Sequence, residues 1–187
     1  MRRQSLVLGL LPLLASCSDH REDLLVYPYP TVLEPAVTAE VLFDELAMTM
    51  EGRQTNLYEG LLSPSFTFVD EIGPEPIRLS RSQELALVAQ LLRSSRAVEF
   101  TLHVVTESDT AHGCRAFHGR LEVTLGLDKH TRHTVTDHVC ITACQAMEDG
   151  LWRLAQWRTD AHGPPTRADS TGYLSWGDMK LKLGVPQ

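Results

Sequence analysis

Asp137 stands in Val135-Thr136-Asp137-His138-Val139-Cys140-Ile141, where it shares its parity with the apolar residues. In a β-strand that parity sets its carboxylate on the dry face, where loss of water raises its pKa and suits it to work as a general base. Two alternatives compete: a bulge that turns Asp137 outward, or pairing with an arginine of the same sheet such as Arg115 or Arg153. These are preferred, because one acidic residue in a strand is slender ground for catalysis. His103, His118 and His138 take the opposite, wet parity of neighbouring strands, and a hairpin register that set His103 against His118 would bring imidazoles together as Zn²⁺ ligands. Metal sites usually draw their spacing from short loops or helical turns, so a solvated polar face is preferred here. No metal or cofactor is expected.

Cys114, Cys140 and Cys144 offer sulfur chemistry. If residues 113–126 and 133–146 form a hairpin, the register that aligns Phe117 with Ile141, Gly119 with Val139 and Val123 with Val135 sets Cys114 across from Cys144. His118 then faces Cys140. Directly opposed strand residues are close enough to bond, so Cys114–Cys144 is the disulfide to expect; three separate thiols are the alternative. Cys140 has no base and orienting group beside it, which disfavours it as a nucleophile.

Cys17 belongs to a different arrangement. Arg2 and Arg3 precede the apolar run Leu6 to Leu14, and the small residues Ala15 and Ser16 lead into Cys17. This is the layout of a secretory signal, too short for a spanning anchor. Leu14-Ala15-Ser16-Cys17 resembles the lipobox of bacterial lipoproteins. The resemblance implies cleavage before Cys17, a thioether-linked diacylglyceryl group on its sulfur, and anchoring by two or three acyl chains. It places the protein in the cell envelope on the periplasmic side, at an outer rather than an inner membrane, since Ser18 does not oppose onward sorting. An exported chain meets oxidising conditions, in which disulfides persist.

The rest of the chain must position these residues. Its 187 residues hold one ordinary domain plus ends, and 43% hydrophobic with 22% charged residues is a globular balance. The formal net charge of −7 becomes more negative once Arg2 and Arg3 leave with the leader. Such a surface repels phosphate backbones, which argues against nucleic-acid binding. The expected organisation is a signal peptide over 1–16, lipidated Cys17 and a Pro-bearing tether over 17–35, a domain over 36–160, and a C-terminal extension over 161–187 that docks its aromatics back on the domain. A helix is expected from the Thr38 cap to Gly52, a second over about Thr55–Leu62, a strand at Phe66–Val69 and a third helix after Ser80 or Ser82. Gly73 to Pro76 reads as a loop. Period-two alternation then marks strands around Val98–Val104, Phe117–Leu125, Val135–Ala143 and Leu151–Thr159, forming one curved antiparallel sheet whose dry face the helices cover. Tyr58, Phe66, Trp152 and Trp157 read as core packing. The fold class is α+β.

That element order, with Leu57-Tyr58-Glu59-Gly60-Leu61-Leu62-Ser63-Pro64-Ser65-Phe66-Thr67-Phe68 and the closing Asp149-Gly150-Leu151-Trp152-Arg153-Leu154, resembles the NTF2-like superfamily of SnoaL-like, cystatin-like α+β cones over residues 38–160. The lipobox, tether and Ser175-Trp176-Gly177-Asp178-Met179-Lys180 add a resemblance to lipoproteins with such domains. The superfamily includes isomerases, dehydratases and epoxide hydrolases that use an Asp inside the cone, and members that only bind ligands or associate. The leading expectation is a membrane-tethered, non-catalytic module whose cone binds a small hydrophobic ligand or whose sheet pairs with a second copy. The other is an isomerase- or hydrolase-type enzyme acting on a hydrophobic small molecule through Asp137. A cavity with convergent polar groups inside the cone favours the enzyme.

Overall fold

The computed structural model describes residues 32, 34–72, 75–110, 113–159 and 175–184. The leader with Cys17, nearly all of the tether, residue 160, and residues 161–174 and 185–187 of the extension lie outside the described residues.

Thr38 opens α1 (Ala39–Glu51) by accepting a bond from the Val41 amide at 3.3 Å, and Gly52 closes it. After α2 (Thr55–Leu61) the chain passes straight into β1 (Leu62–Asp70). Strand geometry begins earlier than the apolar run suggests because Ser63, Pro64 and Ser65 fall in an irregular stretch of the ladder, between the pairs Leu62–Leu154 and Thr67–Gln156. A proline without an amide hydrogen is tolerated there. The short β2 (Ile77–Ser80) was not foreseen; it folds back on β1 as an edge hairpin. Ser80 then caps α3 (Arg81–Ser94) in a capping box with Gln83. Four strands follow: β3 (Ala97–Asp109), β4 (Cys114–Gly126), β5 (Arg132–Gln145) and β6 (Trp152–Thr159).

The six strands form one curved sheet in the order β2-β1-β6-β5-β4-β3. It is mixed, which corrects the expectation of a purely antiparallel sheet. The run from β3 to β6 is antiparallel, but β6 returns beside β1 in the same direction, because the crossover through the helices carries the chain back before the meander begins. The helices lie on the dry face. Leu42, Leu46, Phe66, Phe68, Leu91, Leu121, Leu125 and Trp157 are at most 1% exposed, and burial of side chains this size contributes roughly 1.5–3 kcal/mol each before entropy is counted. Tyr58 is also buried, whereas Trp152 is only partly so.

The β4–β5 register sets Phe117 against Ile141, Gly119 against Val139 and Cys114 against Cys144. Cys114 and Cys144 form a disulfide with their Cα atoms 4.0 Å apart. The β3–β4 register departs from expectation. His103 faces Arg120 in the register that runs unbroken from Ala97 to Val104, two positions away from His118, and only beyond it does an irregularity between Val104 and Thr106 set Thr106 against His118. At that point the His103 carbonyl comes so near Gly119 that a Cβ there would lie 2.3 Å from its oxygen, a close approach only glycine permits.

One further element lies in the C-terminal extension. Helix α4 (Trp176–Gly184) packs mainly against α3 and touches β1 and β5.

Candidate functional site

Asp70 ends β1, beside Thr159 on β6, and Thr159 pairs with Val139 on β5. Asp137 lies two residues from Val139 on the same face of β5. The sheet thus carries two carboxylates at one end of its dry face, and both are at most 1% exposed. Alternation alone brings Asp137 inward; no bulge turns it out. Nor does an arginine hold it: Arg115 pairs with Glu107 and Asp109, and Arg153 with Asp149. Its partner is the first turn of α4, whose Trp176 amide donates to Asp137 Oδ2 at 2.6 Å. Asp137 Oδ1 is buried with no hydrogen-bond partner.

Asp70 is better served. Its Oδ1 accepts the Ile72 amide at 2.9 Å, its Oδ2 accepts the Ser175 hydroxyl, and the Gly177 amide also donates to it. The free amides of a helix N-terminus carry partial positive charge, so two carboxylates beneath α4 serve as its anchor. Gly177 is required: a Cβ there would meet Asp70 Oδ2 at 2.1 Å.

The following turn of α4 carries Lys180, which is fully buried. Its ammonium donates to both Glu84 oxygens at 2.9 and 2.7 Å, and Tyr58 donates its hydroxyl to Glu84 Oε1 at 2.9 Å. The Lys180 nitrogen also sits 3.1 Å from the ring centroid of Phe68 and 5.4 Å from that of Trp176. The cone interior thus holds the chain's own Trp176, Met179 and Lys180 beside Asp137.

Burial sets the electrostatics. Asp137 is raised to about 7, chiefly by desolvation; the Asp70 charge adds to the rise, while the Trp176 amide and Lys180 oppose it. Asp70 is also raised by burial, against its three donors and Lys180. Burial lowers Lys180, with Glu84 acting against it, and raises Tyr58 well above the usual phenol value.

Elsewhere, His103, His118 and His138 are exposed on the outer face, and among the described residues no three His, Cys, Asp or Glu side chains converge as a metal site. His118 Nε2 lies 3.8 Å from the sulfur of Cys140. An open groove of about 550 Å³ lies on the outside, by the disulfide. Gly60, Leu62, Pro64, Ala146 and Met147 give it apolar walls, and Arg81 and Arg153 reach into it. None of its lining belongs to the Asp137 cluster.

Comparison with solved structures fits this architecture. A protein with a cystatin-like fold from Caulobacter vibrioides aligns with a TM-score of 0.52 at 13% identity, over 67% of this chain and 87% of its own. A proposed dehydratase of the NTF2-like family from Streptomyces avermitilis aligns with a TM-score of 0.50 at 14% identity, over 66% and 93%. The fold is NTF2-like. A proposed aromatic ring hydroxylase from Novosphingobium aromaticivorans shares it, with a TM-score of 0.56 at 9% identity over 75% and 98%. Identities this low establish the NTF2-like fold and nothing about activity. No protein-family model and no curated protein matches the sequence.

The sequence singled out Asp137, Cys114 and Cys144, but not the partners that define the cluster. Asp70 and Lys180 were missed. Lys180 carries a weak signal: it adjoins Met179 on the Trp176, Met179, Leu183 stripe, where a cation on an apolar helix face requires a buried acid.

Proposed function

We propose that this protein is a membrane-tethered, non-catalytic binding module that takes a small amphiphile. One observation carries the reading: Asp137, the carboxylate suited to act as a base in the cone, anchors the Trp176 amide, and α4 lies where a substrate would meet it. A base must reach the proton it removes, and α4 stands in the way. The outer groove is ligand-sized, since small-molecule sites usually span roughly 300–1,000 Å³. Its apolar walls suit an alkyl body; Arg81 and Arg153, paired with Glu59 and Asp149, would meet an anionic head by exchanging those acids for it. The lipobox ending in Cys17 supports tethering to the periplasmic side of the envelope.

The test is native mass spectrometry and calorimetry of the full chain with a long-chain fatty acid as probe. Saturable one-to-one binding, weakened at least tenfold by Arg81→Ala with Arg153→Ala and unchanged by Asp137→Asn, supports the reading. Absence of binding, or binding abolished by Asp137→Asn alone, contradicts it.

A second reading, an isomerase or hydrolase acting on a hydrophobic small molecule, draws on the pKa of about 7 at Asp137, a value suited to general acid–base work. It requires α4 to leave the cone. Turnover lost in Asp137→Asn would establish it.

A further inference from the structure

The buried cluster beneath α4 has more acid than base. Among the described residues, Asp70, Asp137 and Glu84 face a single cation, Lys180, and both Glu84 oxygens already hold that ammonium. The two aspartates therefore share a water-poor site without a cation bonded to either. Their donors divide unequally: Asp70 accepts two amides and a hydroxyl, whereas Asp137 accepts one amide and leaves Oδ1 bare. Two neighbouring buried carboxylates do not both ionise readily, and the one with fewer donors keeps the proton.

We infer that Asp70 and Asp137 form a one-proton site, with the proton on Asp137, and that its occupancy sets how firmly α4 closes the cone. With the proton bound, Asp70 alone faces the α4 amides as an anion, and the helix dipole favours it. With the proton lost, a second anion sits beside the first with an oxygen that no donor reaches. Opening relieves it, because water can then solvate Asp137. The device holds whether or not the cone takes a ligand.

The groups that bear on Asp137 are known from each element around it. They are Asp70 on β1, Lys180 and the amides of α4, with Glu84 on α3 and Tyr58 on α2 reaching it through Lys180. His133 shares its face of β5 four residues away. For the sign, Asp137 is raised when α4 is closed and ordinary when open. Closure is therefore tightest in acid and weakens as pH rises from about 4 to about 7. Acidification latches the helix, and neutral or alkaline conditions loosen it.

Hydrogen exchange at the Gly177, Met179 and Lys180 amides of the full chain, corrected for the intrinsic pH dependence of exchange, reads the closure. Between about pH 5 and pH 8 the wild-type protection of α4 is expected to fall about a hundredfold, while amides of β4 and β5 keep theirs. Asp137→Asn holds no proton to lose and should show no such fall, which assigns the effect to this site. Wild-type protection that stays level, or an Asp137→Asn chain that keeps the full decline, overturns the inference. Should that variant not fold, carboxyl-carbon NMR of the wild type decides. An Asp137 midpoint above about 6 upholds the one-proton site, and one near 4 refutes it.

Discussion

Replacing Lys180 with Met keeps the length and apolar contacts of the side chain but removes the ammonium from a site where it is fully buried. Glu84, 0% exposed, then keeps only the Tyr58 hydroxyl as donor. Removing one member of a buried pair leaves an uncompensated charge and typically costs ~3–5 kcal/mol, a large share of the ~5–15 kcal/mol that holds a domain folded. Removing the pair together is far milder, provided Tyr58 is not left without a partner. Lys180→Met, Glu84→Leu and Tyr58→Phe combined should recover most of the loss, because three apolar groups then fill the volume. Urea unfolding of the Cys17→Ser chain, followed by circular dichroism, measures both. A single-variant loss below ~1 kcal/mol, or a triple variant no more stable than Lys180→Met alone, would refute the claim that this pair is sealed inside the cone.

Other outcomes follow from the same geometry. Stability of the wild type should decline between about pH 4 and 7 relative to Asp137→Asn, by up to ~4 kcal/mol, because an acid raised to about 7 in the folded state binds protons that the unfolded chain has released; parallel stability curves for the two chains would count against it. Gly177→Ala should lower protection of α4 ahead of the sheet, since its Cβ meets Asp70; unchanged exchange would show that the helix sits elsewhere. Reduction of Cys114–Cys144, which spans a sequence separation of 30, should cost ~3–4 kcal/mol by the loop-entropy model, read as a shift in the urea midpoint. Cys17→Ala should move the chain from the membrane to the soluble periplasmic fraction; persistence at the membrane would argue against the lipid anchor.

Much of the fold was legible because its signals are local. Thr38 and Ser80 cap helices where their side chains can accept amide bonds, and period-two alternation marks β3 to β6. The β4–β5 register followed from matching two apolar faces, and it brought Cys114 to Cys144. The parallel pairing of β1 with β6 was not legible, because it joins segments about ninety residues apart and rests on the path of the intervening helices. His103 missed His118 because alternation gives the faces of β3 and β4 but not their relative register, which already pairs His103 with Arg120 ahead of the irregularity past Val104. At the site, strand parity located Asp137, but its hydrogen-bond partner lies 39 residues away in a helix that binary patterning disguised. The aromatics of the extension pointed to docking, but Lys180 gives no sign of its partner, because its charge is answered 96 residues earlier by Glu84. Long-range charge pairing leaves little trace in a single sequence.

The central claim is that α4 occupies the cone, with Lys180 against Phe68 and Asp137 beneath Trp176. Proton NMR of the folded full chain tests it at one side chain. With the ammonium 3.1 Å from the Phe68 centroid, the adjoining ε-methylene of Lys180 should resonate strongly upfield and give Overhauser contacts to Phe68 and Trp176 ring protons. A Lys180 ε-methylene at the position of an ordinary solvent-exposed lysine, without those contacts, would contradict it.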